Sequence, residues 1–257
     1  MNDMNFQEFL EIAKTAAQKA SIEILRIYDS GDFSIEAKSD DSPLTLADKA
    51  SHLAIVRELE KTGIPILSEE GNSIPYEVRS KWDYFWMIDP LDGTKEFIKK
   101  NGEFTVNIAL IHNRRAILGV VFTPVLNDLF WAVTGEGAFK NGERIGANRF
   151  SQTDRGLKVV ASRSHLNEET QAYLDELNEP EIVSRGSSLK LLMIAEGEAD
   201  LYPRYAPTME WDTAAAQIIV EEAGGMVTIK DTRDPVLYNK ENLLNPYFLV
   251  SGRQKAR

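Results

Sequence analysis

The sequence predicts a mixed α/β protein, with an α+β lobe over residues 1–150 and an α/β lobe over residues 151–257. Three patterns support this fold class. Apolar residues recur at helical spacing over residues 5–28, and β-rich runs with short polar turns dominate residues 105–145. From about Lys158 onward, short strand patterns alternate with helical patterns, which is typical of an α/β architecture.

The N-terminal lobe begins with two predicted helices. Phe6, Leu10, Ala13 and their helically spaced successors predict an amphipathic helix over residues 5–28. A second helix is predicted over residues 45–60. Two short strands follow, at residues 65–67 and at Tyr84–Ile88.

The middle of the chain predicts an antiparallel meander. Its β-rich runs cover residues 105–111, 116–122 and 128–133. The dipeptide Asn141-Gly142, between Phe139 and Ile145, is a strong hairpin signal because both residues tolerate the left-handed backbone of a tight turn.

The C-terminal lobe is predicted to alternate strands and helices. The predicted strands are 158–161, 182–184, 200–202 and 226–229, and the predicted helices are 168–177, 187–196 and 212–223. The boundary between the lobes is placed in the polar stretch from Gly146 to Gly156.

The composition narrows the chemistry. The net charge of −11 argues against binding a nucleic acid polymer, which usually needs a basic surface. There are no cysteines and only three histidines, so cysteine-type zinc sites are excluded and a histidine-rich metal site is disfavoured. The remaining ligands are carboxylates and carbonyls, which suit Mg²⁺.

The expected location is the cytoplasm. The first residues lack the basic and apolar regions of a signal peptide. The most apolar stretch, residues 116–126, is too short to span a bilayer. Peripheral association with the inner face of the membrane and the oligomeric state are both left open.

The segment Trp86–Phe97 carries the strongest chemical signal. A predicted apolar strand leads to Asp89 and Asp92, and Gly93 and Thr94 then open a predicted helix. Free backbone N–H groups in the first turn of a helix attract anions. Carboxylates beside such a turn indicate metal-assisted attack on a phosphate ester.

Further acidic residues stand at the ends of predicted elements. Glu69 follows a buried strand, and Asp212 precedes an apolar helix face, so four carboxylates could hold two or more Mg²⁺ ions. Each residue also has a structural interpretation: Asp212 as a helix N-cap, Asp92 in a turn, Glu69 in a solvated loop, and Asp48 in a capping box with the residue three before it.

One competing phosphatase class is rejected by spacing. Haloacid-dehalogenase-type phosphatases carry Asp-x-Asp-Gly-Thr after a strand, and the first Asp is the nucleophile. Here Pro90 stands two residues before Asp92, and proline has no nucleophilic group.

Two segments resemble the signatures of the inositol monophosphatase superfamily: Asp89-Pro-Leu-Asp-Gly-Thr94 and Trp211-Asp-Thr-Ala-Ala215. Other segments are similar to the CysQ-type 3'(2'),5'-bisphosphate nucleotidases of that superfamily, namely 67–70, 93–110, 162–165, 186–190 and 201–204. Lys95-Glu96-Phe97 replaces the Thr-Asn-Phe of typical inositol monophosphatases, which favours the nucleotidase branch.

The resemblance implies a layered αβαβα sandwich and a metal site. The implied Mg²⁺ ligands are Glu69, Asp89, the Leu91 carbonyl, Asp92 and Asp212, for two or three ions. Gly93 and Thr94 would hold the scissile phosphate. Thr94 and Asp48 would position the attacking water and take its proton.

The resemblance also implies substrate contacts. Those near the metal site are Glu69, Leu91, Asp92, Gly93, Thr94 and Asp212. Lys190 and Arg204 are candidates for a second phosphate, and His165 for the ribose or base. Ser188 is a further candidate substrate contact. As alternatives, Lys190 could be a solvated helix residue and His165 a structural histidine.

The predicted activity is Mg²⁺-dependent, Li⁺-sensitive hydrolysis of 3'(2')-phosphoadenosine 5'-phosphate, and of its 5'-phosphosulfate, with a link to sulfur assimilation. An inositol or sugar monophosphatase is one alternative. A non-catalytic sensor of a phosphorylated metabolite is another, although a sensor has no need of the Asp48–Thr94 pair.

Overall fold

The computed structural model describes residues 5–31, 33–34, 36–37, 43–161 and 166–255. Within these ranges the chain forms seven α-helices and two short 3₁₀ turns, at Glu60–Thr62 and Glu210–Asp212. The helices are α1 Phe6–Ser30, α2 Leu46–Leu59, α3 Tyr76–Arg79, α4 Thr94–Ile98, α5 Glu168–Asp175, α6 Leu189–Ala195 and α7 Ala214–Glu222.

The strands of the first half are β1 Glu36–Ala37, β2 Pro43–Leu44, β3 Ile66–Ser68, β4 Tyr84–Asp92, β5 Thr105–His112, β6 Arg115–Thr123, β7 Asp128–Val133, β8 Gly137–Lys140 and β9 Glu143–Ile145. Those of the second half are β10 Arg149–Phe150, β11 Lys158–Val160, β12 Glu181–Val183, β13 Leu201–Arg204, β14 Met226–Ile229, β15 Phe248–Ser251 and β16 Arg253–Gln254.

Two sheets form the frame of the fold. The larger has the order β3-β4-β5-β6-β7-β8-β9, in which β3 and β4 run parallel and the later neighbours antiparallel. The smaller has the order β12-β11-β13-β15-β14 and mixes parallel with antiparallel pairs. The larger sheet is therefore the antiparallel meander that the sequence predicts, with one parallel strand added at its edge.

Alternating side chains of β5 build two different cores. Val106, Ile108 and Leu110 pack with buried side chains of α1 and α2. Ala109 and Ile111 belong to a second cluster that contains α6, α7 and one face of the smaller sheet. The other face of the smaller sheet packs with α5. The layers therefore follow the order αβαβα, which confirms the predicted sandwich.

The predicted elements agree with the structure to within two residues, except at the end of β4. The predicted set lacks the short elements β1, β2, α3, β10, β15 and β16. Strand β4 does not stop at Ile88, because its pairing with β5 continues through Asp89 and, after a register shift, to Asp92. Strand β15, Phe248–Ser251, is missing from the predicted set, although it lies between two strands of the smaller sheet.

The close packing of α7 on β6 depends on Gly119. A Cβ atom at this position would lie 2.4 Å from the backbone oxygen of Ala215 and 2.5 Å from Cγ2 of Ile218. Only glycine allows this approach without a shift of the helix. Gly119 thereby sets the distance between the larger sheet and the start of α7.

The two sheets come from different halves of the chain: residues 66–145 supply the larger and residues 158–251 the smaller. One cluster of buried side chains nevertheless contacts both sheets. The division into lobes near residue 150 stays a prediction. No helix in the described part of the chain is long and apolar enough to cross a membrane.

Candidate active site

Strands β3 and β4 bring the first acidic residues together. The two strands run parallel, with Ser68 opposite Ile88, so their carboxyl ends lie at the same edge of the sheet. The backbone N–H of Glu69 donates to the carbonyl of Ile88 at 3.2 Å, which fixes the backbone of Glu69 beside the end of β4. Asp89, the next residue of β4, lies on the face of the sheet that packs against α6 and α7.

Asp212 reaches the same place from the C-terminal half. The sequence predicts that Asp212 begins the helix, but in the structure it is the last residue of the 3₁₀ turn Glu210–Asp212, and α7 begins at Ala214. The reason is local: the Met209 backbone N–H donates to Asp212 Oδ2 at 2.9 Å and tightens the chain before the helix begins. The side chain thus caps its own turn and still faces the other acids.

The three acidic side chains form a compact cluster. Carboxylate oxygens of Glu69, Asp89 and Asp212 lie within 4.8 Å of one another, and Asp89 is only 1% exposed. Burial, followed by the charges of Glu69 and Asp92, raises the pKa of Asp89 well above its ordinary value. Burial, followed by Asp92, raises the pKa of Asp212 to about 8.

These shifts describe a site that favours positive charge. Carboxylates at this spacing oppose one another's ionisation, and burial adds to the cost. A divalent cation among the oxygens reverses that balance and favours the ionised form. The donor set is all oxygen, which fits a hard cation such as Mg²⁺.

Asp92 is held by the turn that precedes α6. Its Oδ2 accepts hydrogen bonds from the Ser187 hydroxyl at 2.6 Å, the Ser188 hydroxyl at 2.7 Å and the Ser188 backbone N–H at 2.6 Å. Ser188 is buried, and its hydroxyl also contacts Asn107. These bonds place Ser188 behind Asp92, and its predicted contact with a substrate stays a prediction.

The backbone between the two aspartates is anchored from both sides. The Leu91 side chain is buried in the core with α1 and α2. The Leu91 backbone N–H donates to Asp89 Oδ1 at 3.1 Å, and the Ser51 hydroxyl donates to the Pro90 carbonyl at 2.6 Å. Ser51 has no place in the sequence prediction, because nothing in its local pattern marks it.

Asp48 serves two purposes with two different oxygens. Oδ2 accepts from the Thr45 backbone N–H at 2.8 Å and the Thr45 hydroxyl at 2.6 Å, which completes the capping box of α2. Oδ1 accepts from the Thr94 hydroxyl at 3.2 Å. The capping interpretation and the functional interpretation of this residue are therefore compatible.

Gly93 makes the sharp turn between β4 and α4. Its φ of 96° lies in the left-handed region, and an added Cβ would stand 3.1 Å from the Glu103 carbonyl oxygen. A larger residue would be strained there. The turn presents the first backbone N–H groups of α4 beside Asp92, where an anion can accept from them.

Two adjoining pockets, of about 340 Å³ and 240 Å³, extend from Asp92 and Asp212 across the second half of the chain. They share the lining residues Glu96, Arg185, Gly186, Lys190, Tyr202 and Arg204. Burial lowers the pKa of Lys190, and the nearby carboxylate of Asp92 opposes this shift. The shared wall therefore carries three basic side chains, Arg185, Lys190 and Arg204, together with the acidic Glu96. His165, predicted for the ribose or base, lies outside the described residues.

Comparison with known proteins agrees with this architecture. A model of the inositol monophosphatase family matches residues 5–254. The 3'(2'),5'-bisphosphate nucleotidase CysQ of Salmonella typhimurium is 44% identical over 247 residues, 94% of this chain and 99% of that protein. The CysQ of Escherichia coli K12 is 44% identical over 240 residues, 91% of this chain and 96% of that protein.

Solved structures give the same result. The crystal structure of CysQ from Bacteroides thetaiotaomicron superposes with a TM-score of 0.87 at 44% identity and covers 98% of this chain and 100% of that one. An inositol monophosphatase from Thermotoga maritima gives 0.78 at 28% identity, with coverages of 95% and 92%. The layered fold and the acidic site define a phosphatase. More narrowly, the chain belongs to the inositol monophosphatase family.

Proposed function

We propose that this protein is a Mg²⁺-dependent 3'(2'),5'-bisphosphate nucleotidase that hydrolyses 3'-phosphoadenosine 5'-phosphate to AMP and phosphate. The observation that carries the proposal is the compact group of Glu69, Asp89 and Asp212 next to the hydrogen-bonded pair Thr94–Asp48. The names of the CysQ relatives support the substrate.

The acidic residues would hold the metal. The cluster of Glu69, Asp89 and Asp212 would supply carboxylate oxygens. Asp92 and the Leu91 carbonyl are the other two candidate ligands. Two or three Mg²⁺ ions bound there would neutralise phosphoryl charge and make the attacking water more acidic. Asp92 keeps a fixed orientation because its Oδ2 accepts three hydrogen bonds from the turn before α6.

The reaction itself needs a positioned water. The Thr94 hydroxyl and Asp48 Oδ1 would orient that water and accept its proton. The water oxygen forms a bond to phosphorus as the bond from phosphorus to the 3' ribose oxygen breaks, and the ribose oxygen takes up a proton. Backbone N–H groups at Gly93 and Thr94 would donate to the phosphoryl oxygens as their charge develops.

The adjoining pockets suit a second phosphate and a nucleoside. Lys190 and Arg204 line both pockets, and Arg185 adds a third positive charge. The Arg204 Nη2 donates to the Pro207 carbonyl at 2.8 Å, while its buried Nε has no hydrogen-bond partner among the described residues. A bisphosphate fits this wall better than inositol phosphate, which carries a single anionic group.

The test is phosphate release from 3'-phosphoadenosine 5'-phosphate and from inositol 1-phosphate, measured in parallel with Mg²⁺, with a chelator, and with Mg²⁺ plus Li⁺. The proposal expects strong preference for the nucleotide, loss of activity in the chelator and inhibition by Li⁺. Preference for inositol phosphate would reject the substrate assignment. Mg²⁺ binding without turnover of either ester would favour the sensor. The sulfur-assimilation role, the 5'-phosphosulfate substrate and the cytoplasmic location stay predictions.

A further inference from the structure

Strand β5 places two polar residues directly opposite the aspartates of β4. In the register of the two strands, Asn107 pairs with Asp89 and Thr105 with Asp92. Thr105 is fully buried and Asn107 is 1% exposed. A buried polar side chain is costly unless it is hydrogen-bonded, so these two positions need a physical explanation.

Their contacts lead to Asp92 through the two serines before α6. Thr105 Oγ1 lies 2.6 Å from Ser187 Oγ, and the amide oxygen of Asn107 lies 3.0 Å from Ser188 Oγ. Both serine hydroxyls contact Asp92 Oδ2, at 2.6 and 2.7 Å. Thr105 Oγ1 also lies 3.1 Å from Ser188 Oγ, so the four side chains form one connected network that runs from β5 to a single carboxylate oxygen.

Counting protons gives this network a direction. Each serine hydroxyl has one proton, and an ionised Asp92 can only accept, so both protons point at Asp92. Each serine oxygen must then accept from β5. Thr105 has one hydroxyl proton, and its shortest contact is with Ser187. Ser188 is left to accept from Asn107.

The Asn107 amide has to be turned for this to happen. In the structure its Nδ2 is buried and has no hydrogen-bond partner in the described part of the chain, while Oδ1 faces Ser188. Oxygen and nitrogen of an amide are assigned from the hydrogen-bond network. A half-turn puts the two N–H groups against Ser188 Oγ and Thr105 Oγ1, where Oδ1 now lies 3.0 and 3.3 Å away.

We propose that Thr105 and Asn107 are positioning residues for Asp92. Thr105 and Asn107 donate to Ser187 and Ser188, and the two serines in turn donate to Asp92 Oδ2. This arrangement leaves Asp92 Oδ1 for a cation. The inference rests on the proposed function to the extent that Asp92 is a Mg²⁺ ligand. Partners that orient a ligand in this way commonly change metal affinity by about 10–100-fold when removed.

The experiment measures the Mg²⁺ dissociation constant by calorimetry for Thr105→Val and Asn107→Leu. We expect affinity to fall about tenfold in each variant and to recover in Thr105→Ser, which restores the hydroxyl. Thr123→Val is the matched control, since Thr123 is equally buried but bonds to Asp128. Its Mg²⁺ affinity should change less than twofold, even where its melting temperature falls as much.

Unchanged Mg²⁺ affinity in Thr105→Val and Asn107→Leu, or an equal loss in Thr123→Val, would overturn the proposed positioning role of Thr105 and Asn107. Ser187→Ala, at a half-buried position, replaces Thr105→Val if that variant does not fold, with the same expected loss of Mg²⁺ affinity. Wild-type protein that neither binds Mg²⁺ nor releases phosphate would reject the proposed function instead. The two failures are therefore distinguishable.

Discussion

The Thr94 hydroxyl donates to Asp48 Oδ1 at 3.2 Å, although the two residues are 46 positions apart. Thr94 begins α4 just after the end of strand β4, and Asp48 lies in the first turn of α2. The bond connects two layers of the fold at one point. It also supplies the pair of groups that the proposed reaction needs to orient a water.

Thr94→Val should lower kcat by about 10²–10⁴-fold, because it removes a group that orients the water and relays its proton. Mg²⁺ affinity and KM should stay within a few-fold of wild type. Steady-state kinetics with 3'-phosphoadenosine 5'-phosphate provide the measurement. Thr94→Ser keeps the hydroxyl and should retain most of the activity; equal losses in both variants would remove the hydroxyl from the mechanism.

Asp92→Asn should abolish Mg²⁺-dependent turnover while the fold is kept. The amide has almost the same shape, but it brings no negative charge to a cation. Calorimetric Mg²⁺ titration, steady-state kinetics and circular dichroism would measure the three properties. Asp83→Asn is the control, because the Asp83 side chain is 74% exposed on the surface. Near-native kcat in Asp92→Asn would refute the metal assignment.

Lys190→Ala should lower kcat/KM for the nucleotide bisphosphate more than for a simple monophosphate. Lys190 lines both pockets, and its positive charge faces the space where a second phosphate would lie. The measurement is kcat/KM for both substrates, with the exposed Lys158→Ala as control. Equal losses of kcat/KM for the two substrates would mean that Lys190 does not bind the second phosphate.

Glu58 should make the protein sensitive to acid. Hydrogen bonds from Lys19 and then Lys61 lower the pKa of this carboxyl, whose side chain is only 7% exposed. A lowered pKa contributes stability above the ordinary value of 4.5, and that contribution is lost as the pH falls through the folded-state pKa.

Melting temperatures at pH 7 and pH 4 for wild type and Glu58→Gln test this sign. The variant should melt lower at pH 7, by about 2–4 °C for each kcal/mol lost in a protein of this size. The difference should shrink at the lower pH. A constant difference across this range would show that Glu58 acts through its shape and not its charge.

Gly119→Ala should destabilise the fold by about 1–3 kcal/mol, because the new methyl group would overlap the backbone of α7. Urea unfolding measures the loss. Gly146→Ala is the matched control, since its added Cβ would meet its nearest atom at 3.8 Å, which is ordinary contact. If both variants lost the same stability, the close approach of α7 to β6 would not be the cause.

Local patterns in the sequence predict well which acidic residues lie at the carboxyl end of β4. The run through Asp89 and Asp92 follows an apolar strand, so its position at a strand end can be inferred from residue type alone. Asp212 is harder to place, because a side chain that bonds to Met209 produces a 3₁₀ turn that helical periodicity does not reveal.

Long-range contacts set the rest of the site. Thr105 and Asn107 interrupt an otherwise apolar strand face, which signals a polar neighbour without identifying it. That neighbour is the turn at Ser187 and Ser188, about eighty residues later. The sequence separation of such contacts leaves no local pattern, so only the folded arrangement reveals them.

Helix α2 has a further mechanical consequence. Asp48 receives the hydrogen bond from Thr94, and Ser51, one turn later, donates to the Pro90 carbonyl. Asp48 and Ser51 belong to the same helix, and their two partners lie within residues 90–94. The position of α2 against residues 90–94 therefore sets the spacing between the proposed proton acceptor, Asp48, and the proposed phosphate-binding turn at Gly93.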